Sequence, residues 1–135
     1  MTQVNWSDLF RLGIPRIDDD HERLLALLEG VLEAVAAGEA ADVIIGRLDV
    51  LATETEAHFA REEDLLDRAN YPGLVAHRAE HDRLLSHLRH MRQILLDGLP
   101  AEDDGSRTAM VLRDWLLQHI REDDAAYKPS VLRLV

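Results

Sequence analysis

Residues 74–96 read LVAHRAEHDRLLSHLRHMRQILL, in which Leu74, His77, His81, Leu84, Leu88, Met91 and Leu95 recur at steps of three and four. That period lines one face of an α-helix. A half-buried strand would alternate with period two, and no such alternation runs through the chain. Asn70-Tyr71-Pro72-Gly73 breaks the chain before this segment, and Asp97-Gly98-Leu99-Pro100 ends it. The segment before it, from about Ala40 to Ala69, carries Ile44, Leu48, Leu51, Thr55, His58, Glu62 and Leu65 on the same spacing. An earlier helix is expected from near Asp18 to near Gly38, with Leu24, Leu25, Leu28, Val31, Leu32 and Val35 inside. Asp19 followed by Glu22 resembles a capping box at its start. A polar loop, Glu102 to Ser106, leads to a fourth helix near Arg107 to Asp124, with Leu112, Trp115, Leu116 and His119 on its inner side. Pro129 is expected to end any continuation, leaving a short tail. The opening, to about Ile17, contains Gly13 and Pro15 and reads as an irregular arm held down by Trp6, Leu9, Phe10 and Ile14. Four helices with short connections imply an all-α, antiparallel up-down-up-down four-helix bundle with an irregular N-terminal arm. The 135 residues suffice for one such domain, spanning 1–135.

Composition narrows the class. Hydrophobic residues make up 47% of the chain but aromatics only 4%, so Leu, Ala and Val fill the core, as packed helices require. A net charge of −11 repels phosphate and argues against nucleic acid or an anionic membrane as partner. With no cysteine, disulfides, thiolate zinc sites, iron–sulfur clusters and Cys nucleophiles are excluded together. Residues 1–10 show neither a basic region nor an apolar core of a signal peptide. No apolar run approaches the roughly 20 residues of a membrane span. A cytoplasmic protein is the expectation.

The histidines carry the chemistry. Burying an unpaired imidazole or carboxylate costs several kcal/mol, yet His58, Glu62, His77, His81 and His119 fall on the apolar stripes of three helices. His58 and Glu62 are four apart, as are His77 and His81, so each pair stacks on one helix face and can converge on one cation. His21 lies three residues before Leu24, near the same buried face. Asp124 follows His119 by five residues, which carries it about 140° past a full turn. It reaches the same site only through a rotated side chain, a frayed end or a local π-type turn. Any one of these histidines alone would read as a hydrogen-bonded core residue. Five together with two carboxylates do not. His87 and His90 fall well off the stripe and are expected to face solvent. The runs Asp18-Asp19-Asp20 and Glu102-Asp103-Asp104 read as a helix start and a solvated loop. Imidazole with carboxylate suits iron, zinc or copper and disfavours calcium and magnesium. Seven ligands exceed one tetrahedral zinc and suit two ions sharing carboxylates. Neither His pair is an H-E-x-x-H motif, because no glutamate follows its first histidine.

These residues resemble the hemerythrin family, in particular its single-domain bacterial members. The matches are Ile17-Asp18-Asp19-Asp20-His21, His58-Phe59-Ala60-Arg61-Glu62-Glu63, Tyr71-Pro72 with His77 and His81, and Trp115-Leu116-Leu117-Gln118-His119-Ile120 with Asp124 and Tyr127. Trp6 fits an early tryptophan of the family, and the likeness spans nearly the whole chain. The resemblance implies two iron ions bridged by an oxo or hydroxo group and by Glu62 and Asp124. His77, His81 and His119 would hold one ion, and His21 and His58 the other, where dioxygen would bind. Leu24, Phe59, Trp115 and Leu116 match the positions that wall the oxygen pocket. The implied function is reversible dioxygen binding without catalysis, for storage, transport or delivery to an oxygen-consuming enzyme. Sensing of oxygen, redox state or nitric oxide through a signalling partner, a di-iron redox enzyme such as a peroxidase, and metal storage are the alternatives.

Overall fold

The computed structural model describes residues 12–98 and 106–133. The chain runs through α1 (Pro15–Ala36), α2 (Ala41–Arg68), α3 (Leu74–Asp97), α4 (Ser106–Gln118), a π-helical turn (His119–Asp124) and α5 (Ala125–Leu132), with no strand among the described residues. Helix α1 packs on α2, α2 on α3, α3 on α4, and α4 closes back on α1, giving a four-helix bundle. The first two connections are tight. At Gly38, φ is +68°, and Glu39 N–H donates to Ala34 O while Gly38 N–H donates to Val35 O, which satisfies carbonyls that a helix end leaves bare. Asn70 adopts the same left-handed conformation at φ 53°, and Tyr71 N–H donates back to Leu66 O.

The expected stripes form the core, with small shifts. On α2 the fully buried residue past Glu62 is Leu66 rather than Leu65. Leu12 and Ile14 are buried ahead of α1, while Trp6, Leu9, Phe10 and the loop 102–105 lie outside the described residues. Two expectations about helix ends are corrected. Helix α1 begins at Pro15, whose missing N–H costs nothing at a first turn. Asp19 and Glu22 are exposed and make no cap. Pro129 does not end the fourth segment: α5 carries it internally and runs on to Leu132. The hydrogen bond lost at the proline is offset by complete burial of Tyr127 and Val131 on either side.

Buried apolar residues fall into two clusters. The larger includes Leu24, Leu28, Ile44, Leu48, Leu51, Leu88, Met91, Leu112, Leu116 and Ile120. The smaller joins Leu12, Ile14, Ile17, Leu66, Tyr127 and Val131. Between them on every helix stands a polar residue: His21 on α1, His58 and Glu62 on α2, His77 and His81 on α3, and His119 and Asp124 in the π turn. The first and third helices supply these residues near their starts, the second and fourth near their ends. Antiparallel neighbours bring those ends to one level. No helix among the described residues is long and apolar enough to cross a membrane.

Candidate metal centre

The five residues on the stripes converge with His21 and Asp124, and each of the seven is at most 4% exposed. Their donor atoms form two overlapping groups: Glu62, His77, His81, His119 and Asp124, and His21, His58, Glu62 and Asp124. The carboxylates are shared, and each divides its oxygens between the groups. Glu62 Oε1 lies 2.7 Å from His77 Nε2 and 2.9 Å from His81 Nε2, while Oε2 lies 3.1 Å from His58 Nε2 and 3.7 Å from His21 Nε2. Asp124 Oδ1 lies 2.9 Å from His77 Nε2 and 3.0 Å from His119 Nε2, and Oδ2 lies 2.9 Å from His21 Nε2. All five histidines turn Nε2 inward.

The π turn brings in Asp124. In a regular α-helix a residue five positions after His119 points away from it, but the widened turn at His119–Asp124 returns the carboxylate to the same face. Of the three routes open to Asp124 from the sequence, this is the one taken.

Outside these donors lies a layer that helix periodicity does not reveal. His58 Nδ1–H donates to Asp20 Oδ2 at 2.9 Å, and Arg61 grips the same carboxylate with two bonds of 3.1 and 2.9 Å. His81 Nδ1–H donates to Glu63 Oε2 at 2.7 Å, and Arg78 holds the other oxygen. His119 Nδ1–H donates to Asp123 Oδ2 at 3.0 Å. An Nδ1–H committed to a carboxylate leaves Nε2 of a neutral imidazole as the ligand atom and makes it more basic. Tyr127 O–H donates to Glu62 Oε2 at 3.0 Å. A signal was present: Glu62-Glu63 and Asp123-Asp124 are acidic doublets in which one carboxylate enters the cluster and its neighbour orients a histidine. The run 18–20 is likewise more than a helix start. Asp20 orients His58, and buried Asp18 accepts the N–H groups of Leu12 and Gly13.

The electrostatics are those of opposed charges in a dry layer. Burial alone would push His58 and His77 down, but the nearby carboxylates outweigh it and lift both to about 9. Asp20 and Glu62 act on His58, Asp124 and Glu62 on His77. His119 rises to about 10 against its own burial, through Asp124 and Asp123. Burial would raise the Glu62 and Asp124 carboxyls, yet the surrounding imidazoles hold both well below the carboxylate range. Burial and the two carboxylates push the Tyr127 phenol far up, so it stays a donor. Two of the contacts are aligned hydrogen bonds, from His77 Nε2 and His81 Nε2 to Glu62 Oε1; others are close but poorly aimed. His58 Nε2, His119 Nε2 and both Asp124 oxygens are buried without an aligned hydrogen bond. Nitrogen and oxygen atoms pointing into a common space rather than at one another suit cations between them. The donor set, five imidazoles and two carboxylates, fits iron.

The expected pocket walls separate. Leu24, Phe59 and Leu116 are buried, and the Phe59 ring stacks on His81 at 3.6 Å between centroids. Trp115 is corrected: it is 40% exposed and lies on the outer side of α4, its ring 5.0 Å from that of His87. His87 is corrected with it, being half-buried rather than free in solvent, its pKa pushed down by burial and by His90. His90 is exposed, as expected. Trp115 and His119 border a surface cleft of about 250 Å³ together with Glu80, Arg83 and Asp123.

The comparisons with known proteins point to one family. The Hemerythrin HHE cation binding domain matches residues 12–131. The chain is 33% identical to a bacteriohemerythrin of Ralstonia nicotianae over 120 residues, covering 89% of this chain and 82% of the relative. It is 32% identical to myohemerythrin-1 of Phascolopsis gouldii over 123 residues, covering 91% and 90%. A crystal structure of wild-type hemerythrin superimposes with a TM-score of 0.81 at 27% identity, covering 97% of each chain. A seven-residue donor cluster at the level where four antiparallel helices meet, and likeness along nearly the whole length, have one explanation: the chain belongs to the hemerythrin family.

Proposed function

We propose that this chain holds two iron ions and binds dioxygen reversibly, for storage, transport or delivery. One observation carries the reading: two donor groups, one with three histidines and one with two, share both Glu62 and Asp124. Two cations held a few ångströms apart repel, and carboxylates that offer one oxygen to each offset that repulsion. In this reading His77, His81 and His119 hold one ion, and His21 and His58 the other. The two-histidine group offers one protein donor fewer, so an ion held there would have room for a small molecule. A bound iron pair supplies the electrons that hold dioxygen and takes them back on release.

The chain's own residues do the rest. Asp20, Glu63 and Asp123 fix the rings of His58, His81 and His119 through their Nδ1–H groups. Phe59, with Leu24 and Leu116 one turn along the stripes, presents an apolar wall that excludes water and slows loss of electrons to solvent. Seven donors with only two anionic groups favour high-valent iron less than carboxylate-rich di-iron sites do, which favours reversible binding over oxygen activation. The reading includes a single domain over 1–135 in a reducing cytoplasm, with dioxygen rather than nucleic acid or membrane as its partner.

Metal content and the optical spectrum of the anaerobically reduced protein, before and after oxygen, test this. The expected result is two irons per chain and charge-transfer bands that appear with oxygen and vanish on its removal. Irreversible oxidation would favour a sensor or a redox enzyme. One zinc, or no metal, would overturn the proposal.

A further inference from the structure

The two donor groups are unequal beyond their histidine count. Four carboxylate oxygens link them: Glu62 Oε1 and Asp124 Oδ1 face the three-histidine group, Glu62 Oε2 and Asp124 Oδ2 the two-histidine group. Of these four oxygens, only Glu62 Oε2 accepts a hydroxyl hydrogen bond from the described residues, from Tyr127 at 3.0 Å. Tyr127 is itself fully buried, with its ring edge against Tyr71 and tilted against His77, so the hydroxyl is held in place from both sides.

We infer that Tyr127 is a positioning and tuning residue that weakens the two-histidine metal subsite selectively, by drawing charge from the one Glu62 oxygen that faces it. This rests on the di-iron reading above. An oxygen that already accepts a hydrogen bond has less lone-pair density for a cation, and the bond weakens further once a cation binds. The hydroxyl therefore stabilises the carboxylate before loading more than after. The cost falls on the subsite of Oε2, not on that of Oε1. The two-histidine ion then binds second, leaves first and is the more electron-poor of the two, as suits the position that must accept and release a small ligand.

The test is anaerobic titration of the metal-stripped full chain with Fe(II) alone, followed by calorimetry and by metal analysis after desalting. The wild-type chain is expected to bind two ions in unequal steps. His58→Ala, which touches only the two-histidine group, identifies the weaker step by abolishing it. Tyr127→Phe keeps the ring and its packing. It is expected to tighten the weaker step about five- to tenfold, less than the full worth of one hydrogen bond to a charged group because that bond weakens on loading rather than vanishing, and to leave the stronger step unchanged. A fluorinated tyrosine at 127, a stronger donor of nearly the same size, is expected to loosen the weaker step, and it keeps the sign testable whatever Tyr127→Phe does to folding. A weaker step that is unchanged or loosened in Tyr127→Phe, or both steps loosened together as loss of scaffolding alone would produce, overturns the inference. Fewer than two ions on the wild-type chain would instead overturn the di-iron reading, and metal analysis separates that failure from the other.

Discussion

Helix α2 presents one inner stripe with two chemistries. Ile44, Leu48 and Leu51 fill its first half, His58 and Glu62 its second. At the border Thr55 turns its hydroxyl back to Leu51 O, so no polar atom intrudes on the apolar half. Both halves are equally dry, with Leu51 and His58 each 1% exposed. The apolar half is stable by burial alone, at about 25 cal/mol per Å² of apolar surface. Burial works against the polar half, where each imidazole and carboxylate is tolerable only through a partner. A helical stripe therefore fixes where a side chain goes and leaves open what holds it there.

Substitutions in the two halves should separate metal binding from stability. The largest effect is expected at Glu62. Glu62→Gln removes the shared anion, and metal analysis should find one iron or fewer per chain. Two irons retained would show that Glu62 does not bridge. Leu51→Ala should do the reverse. It opens a cavity in the larger cluster and should cost ~2–5 kcal/mol in denaturant unfolding, with the iron count unchanged.

A gentler probe is pH. With the metal stripped, folding lifts His58 and His77 to about 9 and His119 to about 10, above their unfolded values. A raised folded-state pKa contributes stability that is complete below the unfolded value, near pH 6.5, and lost as pH climbs through the folded one. The melting temperature of the stripped chain should thus fall by roughly 5–10 °C between pH 6.5 and 9.5. If iron is held as proposed, the loaded chain keeps its imidazoles neutral and should be nearly flat over that range. Parallel curves for the two forms would mean that the histidines are not what binds the metal. Smaller again is Asp20→Asn, which spares every donor but loosens the His58 ring. About a tenfold loss of iron affinity at the two-histidine subsite is expected, read as a shift of the weaker step in an Fe(II) titration.

The same division explains what the sequence discloses. Three-and-four spacing locates His77, His81 and Leu84 on one face, because helix geometry alone decides it. The bundle is legible on that ground, and so is the placing of His58, Glu62, His77, His81 and His119 on inner stripes. Legibility stops where a contact crosses between elements or the helix departs from regularity. Asp20 reaches His58 from another helix, 38 residues away, and nothing local to the run 18–20 signals it. Asp18 stands in the first turn as expected, but its carboxylate serves the incoming chain at Leu12 and Gly13, which the helix pattern does not show. Asp124 was a set of three routes until the π turn chose one. Pro129 was misjudged because a local rule, the missing N–H, competes with burial of Tyr127 and Val131, which only the packed structure shows.

Trp115 shows how far periodicity can mislead and leads to the smallest effect. It directly precedes buried Leu116 and stands four residues before buried His119, near enough to the stripe to pass for an inner residue. An offset of one position is about 100° of helix, enough to carry a side chain from the core to the flank. There its indole lies against His87 on one side and borders the cleft that reaches His119 on the other. Trp115→Ala therefore removes outer packing only. It should leave two irons per chain and the rate of spontaneous oxidation unchanged, and lower stability by about 1 kcal/mol or less. Phe59→Ala removes a ring stacked 3.6 Å from His81 and should speed that oxidation by admitting water. If Trp115→Ala speeds oxidation as much as Phe59→Ala does, the indole guards the metal layer from outside, and the apolar wall extends through the cleft to the surface of α4.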